Sequence, residues 1–322
     1  MLRHNQFYPP NPIFKLISSL RYFDRLLPGP KLGPEEKDWL KQLKSEGYVV
    51  LENYVSGEKL SDLQAVYQNE LENKLNFEEP CLDQNLIDDT KHKEIIDNFF
   101  RYPNSKLAKE GMTFSKSDVS TYNELTSNHA PSSLKTYIPS TEAFFNQWLD
   151  EKILNVIESY LGLKPYMMEA YLRRNFPGNY KTTNHFWHRD TNNKFHLLKV
   201  FILFSDCAPE NGPHEYIPTS VNDLKLNGKT YYSEEEVDHA YPEEKIKRLK
   251  STLKAGTVII EDTRGLHRAG LPSKGHRDLG YAIFLPLTAF SKNYPKYYSI
   301  DREIFKKLSP RQQSYIPKKF IS

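Results

Sequence analysis

The chain has 322 residues, of which 38 % are hydrophobic, 13 % aromatic and 26 % charged, with a formal net charge of +3. That is enough for one large domain or two small ones with a sizeable core, and a charge so near balance calls for neither nucleic acid nor an anionic membrane as partner. The only cysteines are Cys81 and Cys207, with no CxxC between them; the expectation is two reduced thiols in a cytoplasmic protein, and no apolar run approaches the ~18–20 residues of a membrane span.

Residues 1–34 read as an extension. Its segment IFKLISSLRYFDRLL is amphipathic and mildly basic, a surface helix between the Pro-rich turns FYPPNP and LPGPKLGP. From 35 to 322 a single domain is expected. In its helical part, about 35–162, Trp39, Leu40 and Leu43 share one helix face and Gly47 stops that helix. YVVLENY follows as a strand, Ser56 caps the next helix, and Leu60, Leu63 and Tyr67 line it. The polar stretch from about 76 to 140 carries only weak helical patches such as KEIIDNFF. Phe144, Phe145, Trp148 and Leu149, then Ile153, Leu154, Val156, Ile157 and Tyr160, predict a helix or helix pair ending near Gly162.

After Gly162 the texture turns to short strands: PYMMEAYLRRNF, HLLKVFILFSD, HEYIP, GTVIIED and LGYAIFLPLTAF, parted by PGN, ENGP, KAG and SKG. The expected fold is mainly β with flanking helices, the core at about 163–290 being a sandwich or barrel. The charged, partly helical segment at about 221–250 reads as an insertion over one mouth of that core.

The stretch FWHRDTNNKFHLLKVFILF holds His188 and Asp190 two residues apart at the start of a strand. Residues at that interval share a strand face, so an imidazole and a carboxylate converge while Arg189 points away. A lone His-x-Asp more often makes a salt bridge or a capped turn. A second histidine would change that, because two His and one carboxylate with open positions is the ligand set of non-haem Fe(II) oxygenases. Of ten histidines, His185 and His196 neighbour the pair and His214 and His239 lie in or near turns. His267, where the strand GTVIIED ends in a turn, is the expected third ligand. Oxygenases of this type draw two electrons from a cosubstrate. For 2-oxoglutarate, the far carboxylate calls for the bidentate fork of an arginine. Arg277 opens the strand RDLGYAIFL and shares a face with Leu279 and Tyr281; Arg264 and Arg268 compete with it from the turn beside His267.

Taken together, HRD (188–190), ILFSDCAPENGPHEYIPTS (202–220), GTVIIEDTRGLHRAG (256–270) and Arg277 resemble the phytanoyl-CoA dioxygenase family, and EEKDWLKQLKSEGYVVLENYVSGEKLSDL resembles that family's opening helix–strand–helix. The resemblance covers roughly 35–290. It implies a double-stranded β-helix core, a jelly roll of cupin type. It also implies Fe(II) on His188, Asp190 and His267, with 2-oxoglutarate and O2 as cosubstrates and Arg277 on the C5 carboxylate. Tyr171 and Asn175, on the strand before HRD, and Lys199, on the strand after it, are further candidates to steady the cosubstrate. The implied reaction is hydroxylation of a small molecule at an unactivated C–H bond, releasing succinate and CO2. Retention of Asp190 favours this, or a desaturation-type outcome, over halogenation, for which relatives replace that carboxylate by a small residue. The chain departs from the family at IPTSV, where IPGSH is usual, and at Ala269, where a hydroxyl residue is usual. Phe186, Trp187, Arg173, Arg174 and Lys199 flank the expected site. Two rivals remain: a non-catalytic jelly-roll binding protein, and a cupin-type metal-dependent isomerase or epimerase that would not need Arg277. The sequence is silent on substrate and oligomeric state.

Overall fold

A computed structural model describes residues 29–74, 81–98, 102–190, 197–223, 225–285 and 295–322. The expected helix in the first 34 residues and His196 lie outside them. The first long helix, α1 (Pro34–Glu46), begins with a proline where a missing N–H costs nothing and has Glu35 and Glu36 in its first turn. It stops at Gly47, whose φ of 89° lies in the left-handed region. Strand β1 (Tyr48–Leu51) is shorter than YVVLENY, because Asn53 turns the chain at φ 54°. Helix α2 (Gly57–Lys74) follows Ser56. The expected helix pair is α3 (Glu142–Trp148), capped by Thr141, and α4 (Glu151–Leu161), capped by the Asp150 carboxylate and stopped at Gly162.

The remaining strands form three antiparallel sets. β2 (Cys81–Leu82) and β3 (Thr113–Phe114) make a small ribbon in the stretch that the sequence left unplaced. β4 (Ser133–Tyr137), β5 (Tyr166–Asn175), β7 (Leu198–Leu203), β11 (Val258–Glu261) and β13 (Arg277–Leu285) join β1 in a six-stranded sheet of order β1-β11-β7-β13-β5-β4. β6 (Trp187–His188), β8 (His214–Tyr216), β9 (Tyr231–Tyr232), β10 (Leu249–Lys250) and β12 (His267–Ala269) form a second sheet of order β10-β8-β12-β6-β9. The expectation of a mainly β chain with flanking helices is borne out. β1 and β4 come from the mostly helical stretch before Gly162 and form the two edges of the large sheet. The 221–250 segment supplies β9 and β10, the edges of the small sheet, with helix α5 (Glu234–Ala240) between them.

Strand periodicity divides the large sheet into two chemistries. Facing positions across strands share a side, so Val200, Ile202, Val258, Ile260, Ala282 and Phe284 form one surface. All are buried against Leu43, Leu63, Phe144, Phe145, Trp148, Leu154 and Ile157 of the helices. Gly280 belongs to this surface; a Cβ there would come within 2.8 Å of the Trp148 ring, so the helix layer sits this close only because the position has no side chain. The segment after 295, in which the sequence reading named no elements, returns to the same core through Tyr298, Ile300, Tyr315, Ile316 and Phe320. The opposite surface carries Glu261, Lys199, Phe201, Arg277, Tyr281, Tyr171, Arg173 and Asn175. It faces the small sheet, as the contacts of His214 with Glu261 and Phe201 record.

On the helix side one ion pair is buried among these apolar groups. Arg174 and Asp278 face each other in register and are joined by two parallel hydrogen bonds of 2.7 Å, from Nε to Oδ1 and from Nη2 to Oδ2. Arg174 also donates to Tyr122 Oη (2.5 Å) and to Gln68 Oε1 of α2 (2.9 Å). This arginine, expected to flank the site, is therefore turned away from it, since its strand parity points at the helices. Removing one member of such a pair leaves a buried charge without compensation. Arg174→Leu is expected to lower the unfolding free energy by about 3–5 kcal/mol, read from the midpoint of urea denaturation.

Candidate metal centre

The polypeptide brings His188 and His267 together by pairing β6 with β12, in which these two residues are direct partners. Their rings lie 4.3 Å apart between centroids. Asp190 is just past the end of β6. Its backbone N–H donates to Thr263 O at 2.9 Å, which pins it beside the turn leading to His267. Asp190 Oδ1 lies 3.8 Å from His188 Nε2 and Oδ2 lies 3.8 Å from His267 Nε2. One ligand atom from each of the three residues falls within 4.8 Å of the others, so the group can hold a metal ion; it is the one such cluster of three or more found among the described residues.

The tautomers suit that role. His188 Nδ1 is 2.8 Å from Phe186 O and His267 Nδ1 is 3.0 Å from Gly265 O. A carbonyl only accepts, so each ring donates from Nδ1 and keeps an Nε2 lone pair directed at Asp190. Burial pushes His267 down to about 3, with His188 adding to the effect, and lowers His188 as well. Both are neutral at pH 7, the form that binds metal. Burial alone would favour protonated Asp190, but Lys199 holds its carboxyl well below the usual range. The donor set is thus two neutral imidazoles and one carboxylate, all in their ligating forms.

Arg189, between the two ligands in sequence, points away as strand parity requires. Its guanidinium donates to Ser220 O (2.7 Å), Arg264 O (2.6 Å) and Leu226 O (2.9 Å). It therefore ties the HRD segment to the turn before His267 and to the 221–250 segment. This segment also reaches the site at Tyr231, which pairs with His188 in β9.

The other candidates separate. Arg277 is 2 % exposed and sits opposite Asn175. Its Nε and Nη1, and Asn175 Nδ2, have no hydrogen-bond partner among the described residues. Burial pushes Arg277 down to about 10, and neighbouring Arg173 adds to this. Its two rivals are occupied: Arg264 is bound to buried Asp262, and Arg268 to Glu215 and Glu234 while lying over the Trp187 ring at 4.5 Å. Trp187 packs in a separate cluster with Ile217, Tyr232 and Leu266. Tyr171 is on the site-facing surface of β5 but two pleats from Asn175, among Tyr281, Tyr137 and Tyr297. Lys199 is brought to the metal ligands, its Nζ 2.6 Å from Asp190 Oδ2.

Three groups of this interior were not singled out in the sequence. His185 is buried, pushed down to about 3 by burial and by Arg277 and Arg173. Glu261 and His214 form a pair at 2.7 Å. Glu261 had a legible signal, a carboxylate at the end of a buried Val-Ile-Ile run, where a lone charge is costly. His214 had none, because its strand is three residues long and follows a turn.

Lys199 and a metal ion would compete for the Asp190 carboxylate. Lys199→Met is expected to lower the melting temperature of metal-stripped protein and to enlarge the rise in melting temperature on adding Fe(II) or Ni(II). Thermal denaturation with and without metal checks both shifts.

A family model described as phytanoyl-CoA dioxygenase (PhyH) matches residues 43–277. No curated protein sequence matches. Among solved structures, EctD from S. alaskensis with 2-oxoglutarate and 5-hydroxyectoine aligns at 18 % identity with a TM-score of 0.50, covering 81 % of this chain and 80 % of that one. The epimerase SnoN in complex with Fe3+, alpha ketoglutarate and nogalamycin RO aligns at 13 % identity with a TM-score of 0.49, covering 78 % and 83 %. At 18 % identity the likeness to EctD speaks of fold alone. The family match is of another kind: it takes in well over half of the chain, including His188, Asp190, His267 and Arg277, and the chain belongs to the phytanoyl-CoA dioxygenase family.

Proposed function

We propose that the chain is an Fe(II)- and 2-oxoglutarate-dependent dioxygenase that hydroxylates an unactivated C–H bond of a small molecule, releasing succinate and CO2. In this reading 35–322 is one domain, its two facing sheets form a double-stranded β-helix, and the buried thiols of Cys81 and Cys207 belong to a cytoplasmic protein. No described helix is long and apolar enough to cross a membrane.

One observation carries the reading: Arg277 is a buried cation on the interior surface with two donor nitrogens unused among the described residues. An unpaired buried guanidinium is expensive, and a ligand carboxylate is the partner its planar fork fits best. A binding protein with a structural metal, or a cupin-type isomerase, has no use for it. The donor set fits as well, since two neutral imidazoles and a carboxylate suit non-haem Fe(II).

His188, Asp190 and His267 would hold the iron, which with 2-oxoglutarate and O2 supplies the oxidising power for attack on a C–H bond. The protein's part is placement and dryness. Arg277 takes the far carboxylate of 2-oxoglutarate, and Asn175, its register partner across the β5–β13 pair, offers an unused Nδ2 donor. Leu203, Cys207 and Leu279, with Phe201 and Tyr281 packed against them, give this part of the interior an apolar wall that limits water and side reactions. Phe201 and Tyr281 also pack against each other, 5.9 Å between centroids. The carboxylate of Asp190 occupies the ligand position that halogenation would need open for chloride.

Anaerobic addition of 2-oxoglutarate to the Fe(II)-loaded protein is expected to give a charge-transfer band. Arg277→Leu is expected to weaken 2-oxoglutarate binding at least a hundredfold while iron content is retained, and His267→Ala to lose the iron. A protein that binds Fe(II) but shows no band is a metal-binding jelly roll of another kind.

A further inference from the structure

Two side chains in the wall of the interior have no part in the reading above. Glu261 ends β11 and is 0 % exposed. Its Oε2 lies 2.7 Å from His214 Nε2, and its Oε1 has no hydrogen-bond partner among the described residues. A carboxyl buried at the end of Val-Ile-Ile loses its hydration for a single hydrogen bond. That bond fixes the plane of the His214 ring and decides which nitrogen it turns outward.

The ring is placed on the metal side of the interior. It lies 5.7 Å from the His267 ring and 5.3 Å from Phe201, between centroids. In register His214 faces Ala269, two residues beyond His267 on the strand that then turns towards Arg277. Two residues along a strand span roughly 6.5–7 Å, comparable with the length of a five-carbon diacid. Ala269 offers that span no polar group. His214 does, since its Nδ1 has no hydrogen-bond partner among the described residues.

Burial raises Glu261 to about 8 and lowers His214 to about 3, the latter with help from Arg277 and Lys199. The first shift disfavours the carboxylate and the second the imidazolium. A Glu261 carboxyl that donates to Nε2 leaves the neutral ring's own hydrogen on Nδ1 as a donor.

We infer that His214, oriented by Glu261, is a further binding residue for the cosubstrate, donating from Nδ1 to its far carboxylate alongside Arg277 and so selecting a 2-oxo diacid over a 2-oxo monoacid. This rests on the 2-oxoglutarate reading above.

The test uses the full chain loaded anaerobically with Fe(II) and titrated, by the charge-transfer band, with 2-oxoglutarate and with 2-oxobutanoate, which chelates alike but lacks the far carboxylate. His214→Phe keeps the ring volume and removes the donor. It is expected to weaken 2-oxoglutarate binding about tenfold, the worth of one charge-assisted hydrogen bond, and to leave 2-oxobutanoate binding and iron content unchanged. Glu261→Leu is expected to follow His214→Phe, and Glu261→Gln, which can still hold Nε2, to recover most of the loss. His214→Asn serves as a second variant, with the same expected selectivity, if the phenylalanine does not fold. Equal affinity of His214→Phe and wild type for 2-oxoglutarate overturns the inference, as does parallel weakening of both acids, which marks a structural role. A wild type without a band overturns the oxygenase reading itself. A wild-type band that needs Arg277 but ignores His214 overturns this inference alone.

Discussion

The cost of burying a charge governs this molecule's interior. An ion taken out of water needs a partner within reach, and nearly every buried charge here has one. Arg174 is clasped by Asp278, Arg264 by Asp262, Arg268 by Glu215 and Glu234, and Lys199 by Asp190. Arg189 is surrounded by backbone carbonyls. Against that background Arg277 stands out, a guanidinium with unused donors on the same sheet face as Lys199, which contacts the candidate metal ligand Asp190. The proposed chemistry follows from this contrast: the fold tolerates the uncompensated charge where an anionic ligand would complete it.

The two-residue period of a strand is what lets one sheet serve both as core and as site. Along β13, Asp278, Gly280, Ala282 and Phe284 face the helices, while Arg277, Leu279 and Tyr281 face the small sheet. The helix layer supplies the stability, through Trp148 seated on Gly280 and through the aliphatic rows of β7 and β11. With that side fixed, the other can carry Glu261, Lys199, Arg277 and Asn175, a polar set that contributes little to stability by itself. A slip of one residue in register would exchange the two faces, so the packing of the helices is also what keeps the ligands pointed inward.

The candidate metal ligands and the candidate anchor were legible because each depends on local rules. His188 and Asp190 share a side by strand parity, His267 marks the end of an apolar strand, and Arg277 opens another. Strand boundaries, Gly47 and Gly162 as helix stops, and the helix pair around Trp148 were readable for the same reason. What was not legible depends on partners far apart in the chain. The Glu261–His214 pair joins residues 47 apart and Lys199 meets Asp190 only because β7 runs beneath the end of β6. The return of Tyr298, Tyr315 and Phe320 to the core, and the use of 221–250 as both edges of the small sheet, have no local pattern to announce them.

By itself, then, the sequence determined which residues have the chemistry for a metal, which face of each strand they occupy and to which family the motifs point, since these follow from spacing and from side-chain type. Only the tertiary structure decided which of three nearby arginines is left without a carboxylate, which histidine faces Glu261, and that Arg174 turns to the helices while Lys199 turns to Asp190. The physical reason is that pairing of buried charges is a contest among all groups within a few ångströms, and the chain sets those distances only once the sheets have closed on one another.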